Sequence, residues 1–117
     1  VIAHVVLFKP KSDLRQDEIR SFGKVFKETC MEIPGIRRVR VGRIFSFHGN
    51  PSEMFGDKTY EVAAYLEFED MTGLRAYLQH PKHAELSEVF WRYCESAAYA
   101  DAEMVDPITD DMERLFG

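Results

Sequence analysis

Apolar residues fill both the odd and the even positions from Ile2 to Lys9, in the run Ile-Ala-His-Val-Val-Leu-Phe-Lys, and Pro10 with Lys11-Ser12 ends it. A strand sends successive side chains to opposite faces, so Ile2, His4, Val6 and Phe8 share one face and Ala3, Val5 and Leu7 the other. Both faces are mainly apolar, which predicts a first strand buried on both sides. From Asp13 to Ile33 the apolar residues change to helical spacing, through Leu14, Ile19, Phe22, Val25, Phe26, Cys30 and Ile33. Ser12 or Asp13 is the predicted N-cap, and Pro34-Gly35 the stop.

Residues 36 to 48 carry Val39, Val41, Ile44, Phe45 and Phe47 and predict a second strand, with Gly42 as a bulge or a point of close backbone approach. The connection from 49 to 58 is rich in turn residues, and its Met54 and Phe55 predict a segment that tucks onto the domain or meets a partner. Thr59 to Glu69 alternates with period two and predicts a third strand. Asp70 then caps a helix running to Leu78, which breaks at His80-Pro81 and resumes to Tyr93. Residues 96 to 106 are a fourth strand by their place in the order, although alanine is a poor strand former. Residues 107 to 117, with Ile108, Met112, Leu115 and Phe116 among acids, form a short tail able to dock.

The order βαββαβ predicts an α+β, ferredoxin-like domain over residues 1–106, a four-stranded antiparallel sheet with both helices on one face, followed by the 107–117 tail. The other face is left bare, with Phe, Tyr, Val and Leu expected on it. That is more apolar surface than a monomer tolerates, so two sheets are predicted to pack face to face in a homodimer, a dimeric α+β barrel.

Composition narrows the function classes. The 117 residues suit one domain, and 45% hydrophobic with 30% charged residues is ordinary for a folded protein. A net charge of -5 argues against a nucleic-acid partner. The local basic run Arg37, Arg38, Arg40 and Arg43 splits between two strand faces and reads as a solvated or ion-paired edge. No apolar stretch approaches the roughly 20 residues that span a bilayer, and no leader pattern is present, so no membrane partner and a cytoplasmic location are expected. Cys30 and Cys94 lie apart in apolar settings and are expected to be reduced core thiols. His4, His48, His80 and His83 lack an HExxH motif, a carboxylate triad or a cysteine set, so no metal and no cofactor are expected; a weak cation at the dimer interface would escape this reading. The absence of a phosphate loop and of a GxSxG elbow excludes nucleotide hydrolysis and serine-hydrolase chemistry.

Three segments carry a resemblance: Ala3-His4-Val5-Val6-Leu7-Phe8-Lys9, Ile33-Pro34-Gly35-Ile36, and Tyr77-Leu78-Gln79-His80-Pro81-Lys82-His83. With the strand order, they make residues 2 to 106 resemble the Dabb family of stress-responsive α/β-barrel proteins. The resemblance implies a dimeric barrel of facing sheets. It also implies a link to plant polyketide cyclases of the family, in which the position matching His83 is the base and those matching His4 and Tyr77 assist. Most bacterial members have no assigned reaction.

The residues themselves point the same way. His4 sits among Ile2, Val6 and Phe8, where an imidazole needs a hydrogen-bond partner. His80 and His83 are one helical turn apart, and Pro81 fixes the start of their helix. A cavity between sheet and helices is therefore predicted, with His83, Tyr77 and His4 as catalytic candidates and His4, Val6, Phe8, Tyr77, His80, His83, Phe90 and Trp91 as ligand-binding candidates. A histidine near its ordinary pKa takes a proton from a C–H beside a carbonyl, and a tyrosine hydroxyl steadies the enolate. The plainer alternatives are that His80 only caps the helix, that His4 and His83 bond each other, and that the aromatics only fill the core. Three functions stay open: a stress-response protein binding a small apolar or aromatic ligand, an enzyme acting on a carbonyl or polyketide or as a cofactor-free oxygenase, and a purely structural dimer. A pocket reaching both His4 and His83 supports the first two; direct packing of the two rings supports the third.

Overall fold

The computed structural model describes residues 1–45 and 59–117. Its strands are β1 (Ile2–Pro10), β2 (Ile36–Arg43), β3 (Val62–Phe68) and β4 (Cys94–Glu103), and its helices α1 (Gln16–Glu32), α2 (Met71–Gln79) and α3 (Pro81–Tyr93). They form one antiparallel sheet in the order β2-β3-β1-β4, with β1 between β3 and β4. This is the ferredoxin-like arrangement that the element order predicts.

The pairing register sorts the side chains. Ile2, His4, Val6 and Phe8 stand opposite Phe68, Leu66, Ala64 and Val62 of β3, on the face covered by the helices. There Phe8 meets Phe22 of α1 at 6.0 Å and Phe90 of α3 at 5.2 Å, centroid to centroid. Leu66 and Phe68 are fully buried, and Leu74 and Tyr77 of α2 close over them. The helix-free face carries Val5, Leu7 and Tyr65 with alanines 3, 63, 98, 100 and 102, and Arg38 and Arg40 towards β2. Among the described residues the strand phenylalanines are not on it, because Phe8 and Phe68 both have the register of the helix side. The bare face is thus made mostly of small side chains.

Several boundaries move. The N-cap of α1 is Arg15, not Ser12 or Asp13. An arginine side chain has no acceptor, so the helix start is held instead by the Glu18 carboxylate, which accepts the Arg15 backbone N–H at 3.0 Å. β2 stops at Arg43, and the rest of its expected span to His48, like Met54 and Phe55, runs into residues outside those described. β3 begins at Val62, three residues after Thr59; the ladder is extended by Glu61, whose N–H donates to Phe8 at 3.0 Å and whose carbonyl accepts from Ile44 at 2.8 Å. β4 starts at Cys94, directly where α3 ends.

Asp70 caps α2 as expected, accepting the Gly73 N–H at 3.0 Å. The break at His80-Pro81 is real and puts proline at the first turn of α3, where its missing N–H costs nothing. α3 is tied to α1 at the same end. The hydroxyl of fully buried Thr29 donates to Val25 at 2.8 Å and lies 3.4 Å from the Lys82 carbonyl. The Lys82 ammonium meets Glu85, Glu28 and Glu32 at 3.2, 3.4 and 3.9 Å. The residue after Lys82 is His83, so this junction fixes where that imidazole begins. Both cysteines are free thiols, Cys94 buried and Cys30 half-buried, and burial pushes the Cys94 pKa up to about 11. No helix among the described residues is long and apolar enough to cross a membrane.

Candidate functional site

The central position of β1 gives His4 neighbours on both sides and a helix layer above. Its cross-strand partner on β4 is Asp101, and that register sets the His4 Nδ1 2.5 Å from the Asp101 Oδ1. The partner required by a buried imidazole is therefore a carboxylate 97 residues away. A carboxylate on one ring nitrogen fixes the tautomer and the orientation of the ring, and leaves the other nitrogen for a ligand.

Tyr77, in the last turn of α2, stands between the two histidines. Its ring lies 5.9 Å from His4 and 4.7 Å from His83, the latter edge-on. Burial drives its pKa well above the ordinary tyrosine value, so the phenol keeps its proton. No protein hydrogen bond engages the Tyr77 hydroxyl among the described residues, and none of their buried polar side-chain atoms is unpartnered. The hydroxyl is thus open to the cavity that Tyr77 lines.

His83 is the third residue of α3. Burial lowers its pKa, the nearby His4 lowers it further, and a hydrogen bond to the backbone of Leu78 partly opposes both. At neutral pH its ring is uncharged, the form that accepts a proton. His4 and His83 do not bond each other; Tyr77 separates them.

These groups line a cavity of about 390 Å³ between the sheet and the helices. Val6, Phe8, Phe22, Leu86 and Phe90 make apolar walls, and His4, Tyr77, His83 and Asp101 form one polar region. The rim carries Leu78, Trp91 and Tyr99, which are 40%, 53% and 72% exposed. An adjoining cavity towards β2 shares the wall of Phe8, Phe22 and Phe26.

Of the residues singled out from sequence, His4, Val6, Phe8, Tyr77, His83, Phe90 and Trp91 all line the cavity. His80 does not. Its Nδ1 accepts the Lys82 N–H at 3.0 Å and caps α3, which is the plainer of its two readings. Sequence reasoning missed Asp101 and Tyr99, both on β4. The available signal was an acid in an alanine-alternating strand, but its value depends on the β1–β4 register, which one sequence does not display.

The model of the Dabb family, the stress responsive A/B barrel domain, matches residues 2–104. The chain belongs to the Dabb family. A dimeric protein of unknown function with a ferredoxin-like fold from Bacteroides fragilis is similar at 27% identity and TM-score 0.60, over 88% of this chain and 95% of that one. A Dabb family protein from Mesorhizobium loti shares the fold at 22% identity and TM-score 0.69, over 90% and 97%. So does the hydroxynitrile lyase of Passiflora edulis, at 16% identity and TM-score 0.73, over 90% and 94%. A comparison with curated protein sequences finds no match. The Dabb match stops just short of Val105, and the tail with its 3-10 turn Met112–Leu115 lies beyond it.

Proposed function

We propose that this Dabb chain binds a small, mainly apolar or aromatic molecule bearing a carbonyl or hydroxyl group, in the cavity between sheet and helices. The supporting observation is the lining: apolar walls with one polar region where His4, Tyr77 and His83 converge. A concave apolar pocket with a few convergent polar groups is the usual form of a small-molecule site. Trp91 is the single tryptophan and sits on the rim, so its fluorescence reports on occupancy. Titration with aromatic and aliphatic aldehydes, ketones and phenols is expected to give saturable fluorescence changes that weaken when Ala64, on the cavity floor, is replaced by phenylalanine. A panel with no saturable response in wild type would remove the binding reading.

One grouping favours a second reading, catalysis of proton transfer beside a carbonyl. Neutral His83 takes the proton from the carbon next to the carbonyl, the C–H electron pair moves to form the enolate, and the Tyr77 O–H donates a hydrogen bond to its oxygen. His4, oriented by Asp101, is placed to assist. A hydroxynitrile lyase from Passiflora edulis has the same fold, which supports this reading. His83→Ala separates the readings: a catalytic base contributes about 10²- to 10⁴-fold in rate, whereas a binding protein shows only altered affinity. Equal turnover by wild type and His83→Ala on every compound would leave binding alone.

We further propose that the chain works as a homodimer through its helix-free face, where Val5, Leu7, Tyr65 and alanines 63, 98, 100 and 102 allow close approach of a second sheet. The dimeric description of the Bacteroides fragilis protein supports this. Sedimentation showing only monomer at micromolar concentration would sink it.

A further inference from the structure

The cavity that adjoins the first one towards β2 has a volume of about 520 Å³. β1 runs beneath both: His4, Val6 and Phe8 line the first, and Phe8, Pro10 and Lys11 the second. Phe8, Phe22, Phe26 and Ala64 belong to both linings. The sheet therefore offers one apolar track from the His4–Tyr77–His83 grouping to the end of β1. Pro10 is six positions beyond His4, and at about 3.3 Å per residue the track is roughly 20 Å long.

Two features of the second cavity have no explanation in packing. Gly23 lies in the middle of α1, where glycine weakens a helix relative to alanine. A Cβ there would meet nothing within 4 Å, so no neighbour requires the glycine; it lines the cavity and keeps that wall bare. The second feature is Lys11, the one charged side chain of this lining among the described residues, with Ser12 beside it. Its backbone N–H donates to the Tyr93 carbonyl at 2.9 Å, which fixes its root where α3 ends. Among the described residues its ammonium forms no ion pair, although Asp13 is two positions away, whereas Lys9 pairs with Glu95 at 3.2 Å. At the opposite end of the track the charged lining residue is Asp101, already engaged with His4.

We infer that the ligand is a linear amphiphile lying along β1, with its carbonyl at Tyr77 and His83 and a carboxylate at its far end paired with Lys11. Its hydrocarbon passes over Ala64 and beside Gly23, where a longer side chain would stop it. This rests on the small-molecule reading above and specifies the ligand's length and second polar end. The three bonds of an extended peptide residue span about 3.3–3.6 Å, so a chain advances roughly 1.2 Å per bond and about 14 carbons match the track. Ile19 and Val41, 49% and 52% exposed at the second cavity, are covered by that hydrocarbon and gain from leaving water.

Trp91 fluorescence titrations of the full chain test this with keto acids whose ketone and carboxylate lie at opposite ends, of about 6 and about 14 carbons. A third probe is the long ketone ending in a hydroxyl in place of the carboxylate. Wild type is expected to bind the long keto acid at least about tenfold more tightly than the short one, because each added methylene leaves water. It is expected to prefer the carboxylate to the hydroxyl by up to about fivefold, the range of an exposed ion pair. Gly23→Leu is expected to lose most of the length advantage and bind the short acid as before, and Lys11→Gln to lose the preference for the carboxylate. No response to any ketone in wild type would remove the small-molecule reading itself. If ketones bind, equal affinity for short and long acids, or a length advantage kept by Gly23→Leu, would overturn the inference alone. So would a carboxylate preference that is absent from wild type or survives Lys11→Gln. Leucine is a better helix former than glycine and Lys11 is exposed, so both variants are expected to fold. If circular dichroism shows that one has not, the three probes on wild type decide.

Discussion

His4 on β1 and Asp101 on β4 face each other directly across the strand pair, imidazole Nδ1 to carboxylate Oδ1 at 2.5 Å, so the sheet's own register orients the ring that enters the cavity. Asp101→Asn keeps the size and removes the charged acceptor. Its expected effect is a mixture of His4 tautomers in place of a single Nδ1–H form, read from ¹⁵N chemical shifts, with cavity ligands bound several-fold more weakly. One unchanged tautomer in the variant would show that the carboxylate does not set the ring.

His83 ties stability to pH. Its folded-state pKa lies below the ordinary 6.5 because burial and His4 disfavour the charged ring. The unfolded chain therefore binds more protons between the two values, and stability rises with pH there. The contribution is fully present above pH 6.5 and is lost as pH falls from there through the folded-state value. Urea unfolding between about pH 5 and pH 8 is expected to show this slope, and His83→Gln to flatten it. An equal slope in the variant would assign the pH dependence to other groups.

Tyr77 separates packing from chemistry. The ring is 3% exposed and touches Phe68, His4 and His83, so Tyr77→Ala is expected to cost about 3–5 kcal/mol in denaturant unfolding. Tyr77→Phe keeps the ring and removes a hydroxyl with no protein partner among the described residues, so stability is expected to change by less than about 1 kcal/mol while ligand affinity or turnover falls. Unaltered ligand behaviour in Tyr77→Phe would remove the hydroxyl from the site.

His80 offers the contrasting case. As the cap of α3, its replacement by alanine is expected to cost about 1 kcal/mol, and His80→Asn, which keeps an acceptor, much less. Ligand affinity in the stable His80→Asn variant is expected to match wild type. A large loss there would return His80 to the site.

The local parts of this molecule were legible in its sequence. Asp70, the His80-Pro81 break and the period-two strands are written in nearest neighbours, and they gave the order βαββαβ. The His4–Tyr77–His83 grouping followed from that order together with the family resemblance. Asp101 did not, because its role exists only once β1 and β4 pair, and that pairing couples residues at opposite ends of the chain. The phenylalanines expected on the bare face were misplaced for a related reason, while Val5, Leu7 and Tyr65 do lie on it. Aromatic strand residues were assigned to it without the register that turns Phe8 and Phe68 towards the helices. Arg15 shows the limit of residue preference: a poor cap was used because Glu18 supplies the acceptor from inside the helix.

The alternation along β1 has a consequence for how such a protein changes over time. The side chains of His4, Val6 and Phe8 line the cavity, and the odd-numbered ones between Ile2 and Phe8 lie on the face proposed for the partner, with only the thickness of one backbone between them. Substitutions can therefore retune ligand choice and association separately, at alternate letters of one seven-residue word. The same economy makes the segment intolerant of insertion: one extra residue after Ile2 would move His4 to the opposite face and exchange the two vocabularies at once.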